Sequence, residues 1–228
     1  MDLLNILKII AAVITVIIAI TVGIIELRLH PDNVLNRWFF LFFISASFGF
    51  LAYTTYHLIL FNSDLVIPIM ITAHILFNFI PVSLVMTVFI IEKYKKIAMS
   101  FRYLGTMMII FILMSFGYFI PEFTPELDMT RYSQGIVDTT THLGWFIFVN
   151  LTRIILFAFV VYKYAKLTKN VGEDTKKRVQ WFFVGIIVAI VGLFINLAGG
   201  TLRIILLEIC ALILVDVGII LVFKGFLM

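Results

Sequence analysis

Apolar residues fill this chain in seven blocks: Leu3 to Ile25, Trp38 to Phe61, Leu65 to Ile91, Phe101 to Ile120, Leu143 to Tyr162, Val179 to Leu197 and Leu202 to Phe223. About 20 apolar residues carry a helix across a hydrocarbon core of ~30 Å. The pattern therefore predicts an all-α integral membrane protein, a seven-transmembrane-helix bundle forming one domain over residues 1–228. Connections are short except Pro121 to His142. The last two blocks read as a hairpin that turns at Ala198-Gly199-Gly200-Thr201. Leu3 to Ile25 is too long for a signal-peptide core, follows no basic segment and lacks a small-residue cleavage site, so it reads as a retained anchor. Neither a low-complexity tract nor a repeat of 20 to 50 residues is visible, and no soluble domain is expected before or after the helices.

Composition agrees with the pattern. The chain is 63% hydrophobic and 13% charged, with mean hydropathy +1.15, where soluble domains carry about 25% charged residues. The net charge of +4 would also suit nucleic acid, but the placement of the cations points elsewhere. Arg28, Arg37, Lys93, Lys95, Lys96, Arg102, Lys163, Lys166, Lys169, Lys176, Lys177, Arg178 and Lys224 are 13 of the 17 Lys and Arg, and all flank alternate ends of the blocks. Cytoplasmic loops carry such an excess, which predicts the N-terminus outside, the C-terminus inside and a multi-pass protein of the cell membrane without a nucleic-acid partner. Trp38, Trp145 and Trp181 fall at block edges, where indole prefers the headgroup level. Cys210 is alone, which excludes an intrachain disulfide or a cysteine metal cluster.

Polar groups are costly in hydrocarbon unless partnered, so those within the blocks are the candidates for function. Tyr53 and His57 continue a stripe that begins at Ser45 and Gly49. His74, Asn78 and Pro81 share a helical face, and His142 and Arg153 are nearly aligned. Gly185, Gly192, Asn196 and Gly199 form a small-residue seam in the sixth block, and Glu208 and Asp216 lie two turns apart in the seventh. With the orientation above, His57, His74, His142, Asn196 and Glu208 belong to the outer half, and Arg153 and Asp216 lie nearer the middle. One outward-opening pocket floored by Arg153 and roofed by the acidic loop would join Tyr53, His57, His74, Asn78, His142, Arg153, Asn196, Glu208 and Asp216 as ligand-binding residues. The plainer expectations are an ion pair of Arg153 with Asp216 or Glu208, helix-to-helix hydrogen bonds at Asn78 and Asn196, close helix packing along the glycines, and ordinary buried histidines.

Cofactor chemistry finds little support. Zinc from His57, His74, His142 and Glu208 has suitable ligand types but no H-x-x-x-H or H-E-x-x-H spacing, and a bis-histidine haem lacks any motif. Retinal needs a lysine within the seventh block, whose one lysine, Lys224, sits at its end. Neither a G-x-S-x-G elbow nor a P-loop is present, so no cofactor is expected and an enzyme is disfavoured.

Asn36-Arg37-Trp38-Phe39 ahead of an aromatic-rich helix, and Lys176-Lys177-Arg178-Val179-Gln180-Trp181 ahead of a glycine-punctuated one ending near Asn196, carry a resemblance. The combination resembles the seven-helix N-terminal sensor region of some bacterial and archaeal histidine kinases and diguanylate cyclases. The resemblance implies a receptor-like module that senses a small or lipophilic ligand, or the state of the membrane lipids, and passes a conformational change inward. The seventh block ends close to Met228, so the signal is expected to reach a separate cytoplasmic protein docked on the basic loops. The alternatives are a small-solute carrier using the same polar residues and a metal-dependent membrane enzyme.

Overall fold

Backbone N–H and C=O groups in a hydrocarbon layer find no water, so long apolar runs satisfy them within helices. The computed structural model describes residues 3–29, 31–169, 173–202 and 204–227. It consists of α1 (Leu3–Leu29), α2 (Val34–Leu58), α3 (Val66–Ala98), α4 (Thr106–Phe116), a single-turn α5 (Met129–Tyr132), α6 (Leu143–Lys169), α7 (Glu173–Leu202) and α8 (Ile205–Leu227). Among the described residues, seven segments are long and apolar enough to cross a membrane: Ile6–Leu29, Val34–Leu58, Ser63–Ala98, Phe101–Phe119, Leu143–Lys169, Val179–Leu202 and Ile205–Gly225. The fold is the seven-helix all-α bundle that the apolar pattern predicts.

The helices outrun the apolar blocks. α3 reaches Ala98, α6 reaches Lys169 and α7 starts at Glu173, because charged residues end a hydropathy block without ending the i to i−4 hydrogen bonding. α2 begins at Val34, where the Asn33 carboxamide accepts from Leu35 N–H at 2.9 Å as an N-cap. The turn expected at Ala198 to Thr201 is absent. α7 stays helical through both glycines to Leu202, and Ile204 N–H donates to Gly199 O at 2.9 Å. Gly199 serves close packing instead, since a Cβ there would stand 2.9 Å from Glu208 Cγ.

Six helices close into a ring in the order α1, α2, α3, α6, α7, α8, with α4 packed outside on α3 and α6. The α7–α8 pair is the tightest joint. Gly185, Gly192 and Gly199 recur every seven residues, the repeat that keeps one seam facing its partner. A Cβ on Gly185 would stand 2.5 Å from Val222 N, and one on Gly192 would stand 2.8 Å from Ala211 O, so these glycines set a backbone-to-backbone approach. Phe42, Leu84, Phe157, Ile186, Ile190 and Ile219 fill the ring and leave a cavity of about 10 Å3. That is about the space of one water and is lined by apolar atoms, so the centre is dry.

One end of the bundle carries the long connection, the other the basic residues. On the loop face, Glu126–Leu127 and Thr139–Thr140 pair antiparallel, and Arg131 bridges Asp138 at 2.7 Å. Leu127, Tyr132 and Val137 of this loop pack on Tyr56, Val66 and Met70 of α2 and α3. On the basic face, α3 breaks at Tyr94, whose φ of 62° is left-handed and uncommon for a bulky residue. Trp38 and Trp145 lie near helix ends as expected but face protein: they are 7% and 9% exposed and stack on Phe79 and Phe123. The Lys224 ammonium sits 3.8 Å from the Trp181 ring centre.

Candidate functional site

The nine candidate residues do not gather in one hollow. They fall into two polar groups and a remainder, and no hydrogen bond or ion pair joins the two groups among the described residues.

The first group ties α1, α2 and α8 together near the loop face. Glu208 comes one turn into α8, where the seam with Gly199 presses it inward, and it is 4% exposed. Its Oε2 accepts from Lys8 Nζ at 2.5 Å and from the Tyr53 hydroxyl at 2.7 Å. Lys8 also lies 5.0 Å from the Tyr53 ring centre, so the aromatic face shares its charge. The His57 ring lies tilted against Tyr53 and Tyr56 at centroid distances of 4.4 and 4.1 Å, and its Nδ1 meets Tyr53 O at 2.8 Å. A buried charge pair of this kind holds three helices only while both partners are present.

The second group ties α3 to α6 and α4. Asn78 donates through its amide nitrogen to Met114 O at 2.9 Å and to Ser115 Oγ at 3.4 Å, which turns its carbonyl oxygen toward α6. Arg153 donates to that oxygen through Nε at 2.9 Å and Nη2 at 2.6 Å, to Asn150 Oδ1 at 3.3 Å, and to His74 O at 3.3 Å. The ion pair expected of Arg153 with Asp216 or Glu208 is not formed. The ring order places α3 beside α6, while α8 lies on the far side of α7 and Glu208 is taken by Lys8. Toward the loop, rings succeed one another from His74 to Tyr118, Trp145, Phe123 and His142 at 5.2 to 5.7 Å. His142 is exposed at the end of this series.

The remaining candidates stand apart. Asp216 is buried opposite Thr15 of α1 with Oδ1 unpartnered, and Asn196 has a buried Oδ1 without a donor. Among the described residues no three His, Cys, Asp or Glu side chains converge as a metal site. His57 belongs to the Glu208 group, and His74 to the Arg153 group.

Three residues escaped the sequence reading. Lys8 is one, a lysine in α1 at the same depth as Glu208, its ion-pair partner. Glu26 is fully buried near the basic face, where the Asn36 amide donates to its backbone O at 3.1 Å and to Oε2 at 3.3 Å while Oε1 has no partner. Thr15 lies among apolar neighbours and faces Asp216. Comparison of the chain with protein-family models, with characterised proteins and with solved structures finds no match.

Proposed function

We propose that the chain is a receptor-like protein of the cell membrane, with the loop face outside. A small or lipophilic ligand acts on the polar layer beneath the loop, and the response reaches a separate cytoplasmic protein at the basic face. The observation that carries this reading is a double clamp on one helix pair. α3 and α6 are joined by Asn78 and Arg153 in the loop half and again by Glu92 and Lys163, at 2.8 and 3.0 Å, toward the basic face. The second clamp follows the first by about 15 Å along α6 and about 21 Å along α3 at 1.5 Å per residue. A ligand that engages Arg153 would change the hold of the first clamp and let the pair rotate about the second, the kind of two-arrangement element a switch requires. The basic ends, with Lys93, Lys95 and Lys96 around the Tyr94 break, would carry that motion to a partner.

The test is a distance measurement. With Cys210 replaced by serine, spin labels at positions 95 and 166 report the separation of the basic ends of α3 and α6. The Arg153→Gln background should shift or broaden that distribution relative to wild type. An identical distribution in both would show that the loop-side clamp does not communicate with the basic face, and the receptor reading would fail.

A further inference from the structure

Arg153 is placed about 15 Å along α6 from its first residue, at 1.5 Å per residue, well inside the hydrocarbon. A cation at that depth is costly, and oxygen dipoles satisfy its hydrogen bonds without cancelling its charge. Every acceptor around Arg153 is neutral: two carboxamide oxygens, those of Asn78 and Asn150, and the backbone oxygen of His74. Among the described residues no carboxylate comes within ion-pair distance of it.

The chain's own buried acids are committed elsewhere. Glu208 is taken by Lys8, Glu92 by Lys163, and Glu26 by Asn36; Asp216 lies on α8 against α1. A guanidinium has five N–H donors, of which four are used here, so one on Nη1 remains. His74, whose backbone oxygen accepts from Arg153, has a buried Nδ1 that also has no partner. Asn78 cannot turn away, since its amide nitrogen is fixed on Met114 O and Ser115 Oγ.

We infer that Arg153 and His74, with Asn150, form a binding site for a small organic carboxylate, whose negative charge completes the α3–α6 clamp. This inference rests on the receptor reading and names the ligand class of the same site. A planar guanidinium fork matches a carboxylate better than a spherical ion. The organic part of the ligand would part the contacting rings of Tyr118, Trp145 and Phe123, which lead from His74 toward the loop. A phospholipid headgroup is the wrong occupant, because it stays at the interface and Arg153 lies about half a hydrocarbon thickness below it.

The test uses the full chain in uncharged detergent, its thermal transition followed by tryptophan fluorescence at constant ionic strength. Benzoate should raise the transition in a saturable way, acetate and chloride less, benzamide and benzylammonium not at all. Arg153→Gln should weaken benzoate by at least about tenfold, the loss expected of a charge-assisted hydrogen bond. His74→Leu, which removes an unpaired nitrogen without disturbing the clamp, should weaken it several-fold and serves where Arg153→Gln does not fold. Equal shifts from benzoate and benzamide, equal shifts from benzoate and chloride, no shift from any anion, or full affinity in both variants would each overturn the site. The two readings separate in the labelled protein. Benzoate that binds without moving labels 95 and 166 sinks the receptor and keeps the site, whereas a neutral ligand that moves them keeps the receptor and sinks the site.

Discussion

Removing one member of the Lys8–Glu208 pair leaves the other buried without a counter-ion, and such losses cost about 3–5 kcal/mol where neither group can reach water. Position along the helix decides which variant is worse. Lys8 lies about 8 Å along α1 from Leu3 at 1.5 Å per residue, and its long stem can carry the ammonium toward the loop-face interface if Glu208 is gone. Glu208 has no such escape: it is shorter, 4% exposed, and its Cγ is pressed against Gly199. Lys8→Met is therefore expected to cost about 3 kcal/mol, and Glu208→Gln about 1–2 kcal/mol, since the amide can still accept from Tyr53. For a chain of this length 1 kcal/mol moves the thermal midpoint by about 2–4 °C, so Lys8→Met should lower it by roughly 6–12 °C. The double variant should fall close to Glu208→Gln alone, because it no longer strands a carboxylate, giving a coupling energy of about 2–3 kcal/mol in the cycle. The assay is a thermal and denaturant melt of all four proteins in one detergent. Additive losses, or a milder effect of Lys8→Met than of Glu208→Gln, would refute the account of a buried pair with one mobile partner.

Gly185→Ala puts a methyl group against Val222 N and Gly218 O, both backbone, so the α7–α8 pair must separate; the expected loss is about 1–3 kcal/mol in the same melt. At Gly117 the neighbour is the Trp145 ring, a side chain rather than backbone; Gly117→Ala should shift the tryptophan emission while costing less than Gly185→Ala. Thr87 donates to Leu84 O at 2.6 Å and pairs with the buried Tyr164 hydroxyl at 2.8 Å. Thr87→Val strands that hydroxyl and should cost about 1–3 kcal/mol, whereas Tyr164→Phe leaves Thr87 bonded to Leu84 and should cost about 1 kcal/mol or less, an order that unfolding of the two variants checks.

The seven helices were legible because unpaired backbone in hydrocarbon admits no other solution, and an apolar block of sufficient length announces it. Their ends were less so. Hydropathy reports where lipid stops, whereas Ala98 marks where the hydrogen bonding of α3 stops, beyond it. Gly199 and Gly200 read as a turn because two glycines usually punctuate a chain; here one of them is demanded by the close approach of Glu208. Partner choice was the least legible. Spacing placed His74 and Asn78 on one face of α3, since helical period fixes faces within one helix. It carries no information on which helices adjoin, so Arg153 was matched to acids on α8, although α7 intervenes and the neutral oxygens of α3 are nearest. Lys8 was overlooked for the same reason, as its importance appears only when α1 is set between α2 and α8.

The two joints of the bundle differ in kind, and the difference says where motion can occur. α7 and α8 meet through glycine backbone at Gly185, Gly192 and Gly218, contacts that a packed seam either keeps or loses as a whole. α3 and α6 meet through the side-chain donors of Arg153 and Lys163, and hydrogen-bonded side chains can exchange one acceptor for another without separating the helices. A device that must hold its shape and still respond would place its rigid joint and its adjustable joint on different helix pairs, as this ring does. Amide hydrogen exchange in nanodiscs distinguishes the joints: α7 and α8 between 185 and 218 should exchange slowest, and α3 from 74 to 94 faster at equal depth. Equal protection of both pairs would remove the asymmetry on which the switching argument depends.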